Sequence, residues 1–526
     1  MIKSLFLAIS IIAHDPGYYT SLANHIKRWL SNEGVAANVI TPKDMSSALE
    51  RERLAFLVGF GSPTASELAT LKKYRQRGGK LVVFYSASPE LAKLMDVVPI
   101  GYATAPYPGA WSRMDFVQPL QPGFPARIRQ TSTVLLKAKP VKGRGRVIAT
   151  WSDRMGRSTG EAAWIATGAG YWMTHVLLAD GDEDLKEQLL GAIVGVIDPK
   201  LWSVSTSQAR ARQKRRVWRE LALRQSPRAG EIHAVWDHSG CGLYPGDWPR
   251  TMRMLQAAHV TDIFVNVAGA GFAHYPSRIL PKSKTFEQEG DQLAKCLAAA
   301  KDTGIRVHAW VLTFSATRAS PATLDSFAAK GWRLKLPSGK QTEYLDPSNA
   351  AVRAYMLSVI DEIQTRYPSV SGIHLDFIRW GDGVSKPADA VQSVSRFVAD
   401  ARRKVKRPRW LTTAVYGKYP NCVSTVGQDW ESWLDMNLVD YVVPMDYTES
   451  LTTLTGFLQQ HAKTKAHARK IIVGIGVTAN ESRLDAKQVI DQINLSRAYR
   501  VAGNSLFDLD VTLETQILPY LRLGIW

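Results

Sequence analysis

From Glu231 to Trp526 short apolar runs recur at near-regular intervals, and most are followed by a segment with helical spacing. The runs are Ile232–Asp237, Asp262–Val267, Arg306–Thr313, Gly372–Ile378, Trp410–Val415, Tyr441–Asp446, Lys470–Val477 and Ser505–Leu509. Gln288–Thr303 and Asn349–Tyr367 are examples of the helical segments between them. Eight strands of mixed Val, Ile, Leu and Ala character, each feeding a helix, have the number and length of a (β/α)8 TIM barrel. This feature narrows the fold more than any other, and it implies a site at the C-terminal ends of the strands.

The preceding residues have a different pattern. Residues 1–202 alternate apolar runs such as Leu54–Gly59 and Lys80–Tyr85 with helical segments such as Tyr18–Asn32, then become β-rich. They read as a smaller, doubly wound parallel α/β domain. Residues 203–230 are polar and Arg-rich and read as a basic linker, and residues 231–526 are the barrel. Lys3 and the apolar stretch behind it, to Ala13, read either as a short export signal or as a first buried strand. The former would favour an extracytoplasmic location.

Composition removes several alternatives. The formal charge is 66 − 47 = +19, with a local peak at Arg210–Arg219. No zinc-finger spacing, aromatic RNP pattern or helix-turn-helix accompanies it, so nucleic acid is not an expected partner. The three cysteines, Cys241, Cys296 and Cys422, form neither a disulfide framework nor a metal cluster. No cofactor is expected, and no segment is apolar enough to span a membrane. The 16 Trp are numerous enough to supply sugar-stacking faces as well as core.

Polar and aromatic groups at the strand ends are the candidates for chemistry. Asp376 and Asp446 end the fourth and sixth strands, and alternation along each strand points both inward. Glycoside cleavage needs one carboxyl to protonate the leaving oxygen and a second to activate water or act as nucleophile. Trp236, Asp237, His238, Asn266, His308, Trp310, Arg379, Trp380, Tyr416 and Tyr447 are the expected substrate contacts. Each has a plainer alternative: an Asp can cap a helix or pair with Arg, and a Trp can simply be core. No His has a second ligand at i+2 or i+4, so a metal is not expected.

Two segments carry a family resemblance. The first is Glu343–Ile363, with Leu345-Asp346-Pro347 and then Val352-Arg353. The second is Ser371–Trp380 (SGIHLDFIRW). Their order and spacing resemble the glycosyl-hydrolase-like family ten barrels, related to the glycosidase domain of poly-N-acetylglucosamine-processing proteins. His308–Val311 and Val442–Thr448 look like elements of the same family, so the resemblance covers about residues 231–475. It implies a barrel, a carbohydrate ligand, a catalytic-type Asp376, and structural roles for Asp346 and an Arg353 that reaches back to a carboxylate. Phe377 stands where the family has Tyr, and Trp380-Gly381 replaces its aromatic-Pro ending.

Residues 1–202 resemble class I glutamine-amidotransferase-like domains, but they contain no cysteine to serve as the thiolate. A structural or sugar-binding accessory role is the expectation there. For the whole chain the leading reading is a glycoside hydrolase. A non-catalytic carbohydrate-binding barrel is the second, and a charge-driven binder of anionic polymers is the third.

Overall fold

The computed structural model describes residues 9–14, 17–107, 109–153, 155–179 and 182–526. The chain divides into two compact units, one reaching Arg216 and the other Val217–Trp526. The start of the possible export signal, residues 1–8, lies outside the described residues. Its remainder is strand.

The strands of the first unit are β1 (Ile9–Ala13), β2 (Ala37–Ile40), β3 (Leu54–Val58), β4 (Lys80–Phe84), β5 (Val97–Thr104), β6 (Trp111–Phe116), β7 (Arg127–Ser132), β8 (Val134–Pro140), β9 (Gly145–Ser152), β10 (Ser158–Thr167) and β11 (Gly170–Met173). One nine-stranded sheet runs β2-β1-β3-β4-β11-β10-β9-β6-β7, and β5 pairs with β8 separately. The pairings among β2, β1, β3, β4 and β11 are parallel. Those from β11 through β10, β9 and β6 to β7 are antiparallel. The parallel part is the expected α/β sheet, and the β-rich stretch that follows it in sequence extends the same sheet with antiparallel strands. No helix separates β5 to β11, and strands joined by short turns can pair only antiparallel. Within the expected basic linker, Val204–Leu223 is a helix.

The strands of the second unit are β12 (Ile232–Asp237), β13 (Asp262–Gly269), β14 (Phe272–Ala273), β15 (Arg306–Leu312), β16 (Arg333–Lys335), β17 (Gln341–Leu345), β18 (Gly372–Asp376), β19 (Trp410–Tyr416), β20 (Tyr441–Met445), β21 (Ile472–Gly476) and β22 (Gly503–Phe507). Eight of them, β12, β13, β15, β18, β19, β20, β21 and β22, follow one another around a closed ring, and β22 pairs back onto β12. All eight pairings are parallel. This is a (β/α)8 barrel. The two-residue β14 folds back on the end of β13, and β16 and β17 form a hairpin beyond β15.

Side chains alternate strictly between the barrel interior and the surrounding helical layer. Trp236, Phe264, Trp310, Leu312 and Val443 share one interior cluster. Their neighbours Val235, Val265, Val311 and Val442 belong to the outer core against the helices. Strand β21 differs from the rest, because two of its inward positions are Gly474 and Gly476. A Cβ at 474 would stand 2.9 Å from the Trp236 ring, and one at 476 would stand 2.8 Å from Tyr447 Cγ. The bare strand makes room for those two rings.

Candidate active site at the barrel mouth

Asp376 closes β18 and has the inward parity of His374 two residues before it. Its carboxyl is almost wholly buried, and Oδ1 accepts the Phe377 N–H at 2.5 Å. Phe377 adopts φ 47, a left-handed conformation that is costly for a bulky residue. Flanking backbone bonds hold it there: Thr313 N–H donates to Asp376 O at 2.7 Å, and Phe314 N–H to Phe377 O at 3.2 Å. This turn ends the strand two residues earlier than the sequence pattern suggested and sends the chain outward.

Arg379 returns over the site. Its guanidinium lies 4.0 Å from the Phe377 ring centroid and 4.6 Å from that of Tyr416, and Nη1 is 3.5 Å from Asp376 Oδ1. Burial raises the Asp376 pKa, opposed by Arg379, the Phe377 N–H and the nearby Trp310 indole. Arg379 Nη1 and Trp310 Nε1 have no close hydrogen-bond partner among the described residues.

The rest of the mouth is mostly aromatic. Tyr447 follows the end of β20, stacks on Phe507 at 5.4 Å and lies edge-on to Trp236. Burial first, then the charges of Asp376 and Asp508, push the Tyr447 phenol well above its ordinary range. His238 is exposed, with Trp310 at 5.8 Å and Phe507 at 6.0 Å. Arg318 donates to His238 Nε2 at 3.0 Å. An arginine has no acceptor, so that nitrogen is unprotonated and the proton sits on Nδ1. Desolvation between the rings, and then Arg318, lower the His238 pKa to about 4. Asn266 is paired in register with the inward Trp310. It is fully buried, and neither amide atom finds a partner among the described residues.

One layer down, Trp236 is fully buried and donates to His374 Nε2 at 3.0 Å. His374 therefore carries its proton on Nδ1, 2.8 Å from Thr412 Oγ1. Burial drops its pKa well below 6.5 and keeps it neutral. Trp236 is thus a floor beneath the mouth rather than an open stacking face.

Four expected site residues lie elsewhere. Asp446 has the parity of Val442, which belongs to the outer core, so it faces the helical layer and not the cavity. It is fully buried, and its Oδ2 lies 3.4 Å from Nδ1 of His461 in the helix Leu451–His461. His461 Nε2–H donates to Gly417 O at 2.9 Å. Burial raises the Asp446 carboxyl. Burial lowers His461, but the Asp446 charge outweighs it and lifts the imidazole above its usual range, so the two form a buried pair. The inward position beyond β20 belongs to Tyr447.

Asp237 also turns outward, and its carboxyl organises the next turn. It accepts from Ser239 Oγ at 2.5 Å, Gly242 N–H at 2.8 Å and Gly240 N–H at 3.2 Å. His308 is inward but sits at the opposite end of the barrel, 2.8 Å from Asp262 Oδ1 and stacked on Trp410. Trp380 is buried in the outer core, with Nε1 on Ala390 O at 3.0 Å, and offers no face to a sugar. Of the two residues read as structural, Asp346 accepts from Ser348 N–H and Oγ. Arg353 donates to the Pro347 and Ser348 carbonyls and not to a carboxylate.

The sequence reading places Asp508 and Asp510 at the eighth strand and favours a structural role for both. Asp508 follows β22 on the rim, and its Oδ1 accepts Leu509 N–H at 2.7 Å and His238 N–H at 3.1 Å. The signal for it was the acid doublet Asp508 and Asp510 around Leu509. Asp510 proves to cap the next turn through Leu513 N–H at 2.8 Å. Among the described residues no group of three or more His, Cys, Asp or Glu could hold a metal ion, and no helix is long and apolar enough to cross a membrane.

Residues 248–493 match the family model described as "Putative glycosyl hydrolase domain". No curated protein matches the chain. Among solved structures it is similar to the PgaB (BpsB) glycoside hydrolase domain from Bordetella bronchiseptica, with 12% identity over 56% of this chain and 99% of that one, TM-score 0.42. The catalytic domain of a β-amylase from Paenibacillus polymyxa is similar at 10% identity over 56% and 98% of the two chains, TM-score 0.43. A GH18 chitinase from Cycas revoluta is similar at 11% identity over 56% and 98%, TM-score 0.37.

Proposed function

We propose that the barrel is a glycoside hydrolase, acting on a polysaccharide through carboxylate chemistry at its C-terminal mouth. The observation that carries this reading is Asp376. It is an inward carboxylate beside Arg379, under an aromatic collar of Trp310, Phe377, Tyr416 and Tyr447. Asp376 is the group that works on the anomeric centre, and its Phe377 N–H and Arg379 contacts fix the carboxylate while helping to keep it ionised. The aromatic rings offer apolar faces to the C–H surfaces of sugar rings. Asn266, with both amide atoms free, suits hydroxyl groups, which both donate and accept. The match of residues 248–493 to the hydrolase family model supports the same reading.

A second reading, a barrel that binds glycan without cleaving it, is favoured by one observation: Asp446, the expected partner acid, is sealed against His461. Reducing-end release from an oligosaccharide panel, paired with calorimetric binding, separates the two. Release by the native chain, lost in Asp376→Asn with binding kept, is the expected result. Cleavage that survives Asp376→Asn would falsify the role given to Asp376, and binding with no release by the native chain establishes the second reading.

A further inference from the structure

Resting on the hydrolase reading, we propose that Asp508 is the second reacting carboxyl of the mouth, donating the proton to the departing glycosidic oxygen from the side opposite Asp376. Around the ring β18 is the fourth strand and β22 the eighth, so their tips are diametrically opposed. Tyr447 lies within electrostatic reach of both acids, and Phe507, Trp310 and His238 complete the surface between them. Two backbone N–H groups hold Oδ1 of Asp508. Its Oδ2 accepts no hydrogen bond among the described residues, and the residue is only partly buried. It is therefore a fixed carboxyl with one oxygen presented outward. Asp237, Asp446 and Asp510 lack this combination: the first two turn away from the cavity, and the third caps a turn.

The two acids differ in their surroundings. The groups facing Asp508 are the acids Asp510 and Asp237, which with burial drive its pKa well up, and the His238 and Leu509 N–H groups, which oppose them. Arg318 also lies within reach. Asp376 has Arg379 against it. Burial raises both carboxyls, and Asp508, with acids rather than an arginine against it, is raised further and is the one suited to carry the proton.

The spacing selects a mechanism. Eight strands about 4.8 Å apart, tilted about 36°, close a ring roughly 15 Å across. Acids carried at opposite tips of such a ring stand far enough apart to admit a water between them. Water adds to the anomeric carbon and passes one proton to Asp376. The carbon–oxygen bond to the leaving group breaks with its electron pair on oxygen, and that oxygen takes the Asp508 proton. Solvent then returns a proton to Asp508 and removes one from Asp376. The product has the inverted configuration.

The test uses the full chain with 2,4-dinitrophenyl oligosaccharides of glucose, galactose and N-acetylglucosamine, in both anomeric series, alongside the unmodified oligosaccharides. A dinitrophenolate departs without protonation. Asp508→Asn is expected to slow the unmodified sugars by about 100-fold or more and the activated ones by less than about tenfold. It should also remove the alkaline limb of the pH profile. Asp376→Asn is expected to lose both substrates, and proton NMR of the first-formed product is expected to show inversion. Native cleavage that Asp508→Asn leaves within a few-fold, or equal loss on both substrates, overturns the assignment while the hydrolase reading stands, as does retention. No cleavage by the native chain overturns both. If Asp508→Asn does not fold, the native chain alone decides: an alkaline limb present for unmodified sugars and absent for activated ones supports the proposal, and the same limb for both overturns it.

Discussion

The two ends of the barrel are built from the same residue types and use them in opposite ways. At the N-terminal end Asp262 accepts from Arg306 Nε and Nη2, His308 Nε2 and Thr261 Oγ1, all within 2.8 Å. Arg306 lies over Trp410, and His308 stacks on it. Within this cluster His308 Nδ1 is left without a partner among the described residues, and on neighbouring β22 so are both amide atoms of Asn504. At the C-terminal end Asn266, Trp310 Nε1 and Arg379 Nη1 are all buried without close partners. A buried polar group left unpaired costs about 1–3 kcal/mol. At the floor the charged groups answer one another around Asp262; at the mouth, on the proposed reading, a bound ligand would supply the missing bonds.

The contrast can be tested, beginning with the largest effect. Asp376→Asn should lower product release by roughly 10³–10⁴-fold while leaving the unfolding midpoint almost unchanged. A large loss of stability would make Asp376 a structural group like Asp262. Asp262→Ala should do the reverse, costing about 3–5 kcal/mol in denaturant titration because Arg306 and His308 lose their anion. Glycan affinity measured on the folded fraction should be unaffected.

Acid should act on the floor first. Burial alone would raise Asp262, but the hydrogen bonds from His308 and Arg306 bring it down to about 2. A depressed folded pKa adds stability above the unfolded value, and that stability disappears as pH falls from about 4 toward 2. The loss should be about 2 kcal/mol, and Asp262→Asn should flatten that part of the stability–pH curve. The smallest effect is expected at Asn266→Ala. Glycan binding should weaken by about tenfold, close to 1.4 kcal/mol, with stability changed by less than about 1 kcal/mol because an unpaired amide leaves the core. If Asn266→Ala destabilises the barrel as Asp262→Ala does, the distinction between the two ends fails.

Most of the architecture could be read from the pattern of apolar runs, since a parallel strand buried on both faces shows itself as an unbroken one. Asp376 was legible for the same reason: the run GIHL has one parity, and the acid continues it. Asp446 misled because β20 stops at Met445 and the next inward position belongs to Tyr447. The error lay in which parity of β20 faces inward: Val443 does, so Tyr447 does and Asp446 does not. Trp380 could not be placed because it belongs to a turn, where alternation no longer applies, whereas Asp237 ends β12 with the outward parity of Val235. The φ of Phe377 left no trace in the sequence, since a phenylalanine there obeys tertiary contacts over local preference. Asp508 read as structural because its strand read as Ser505–Leu509 rather than Gly503–Phe507, which put the acid inside a strand rather than on its rim.

The bare strand β21 has a consequence for selectivity. Tyr447 and Trp236 lean toward that side of the barrel because Gly476 and Gly474 present no side chain to stop them. A single methyl at 476 would drive the phenol back across the opening. The width of the opening beside Tyr447 is therefore set in part by a residue with no functional group, Gly476, and could be changed without altering any acid.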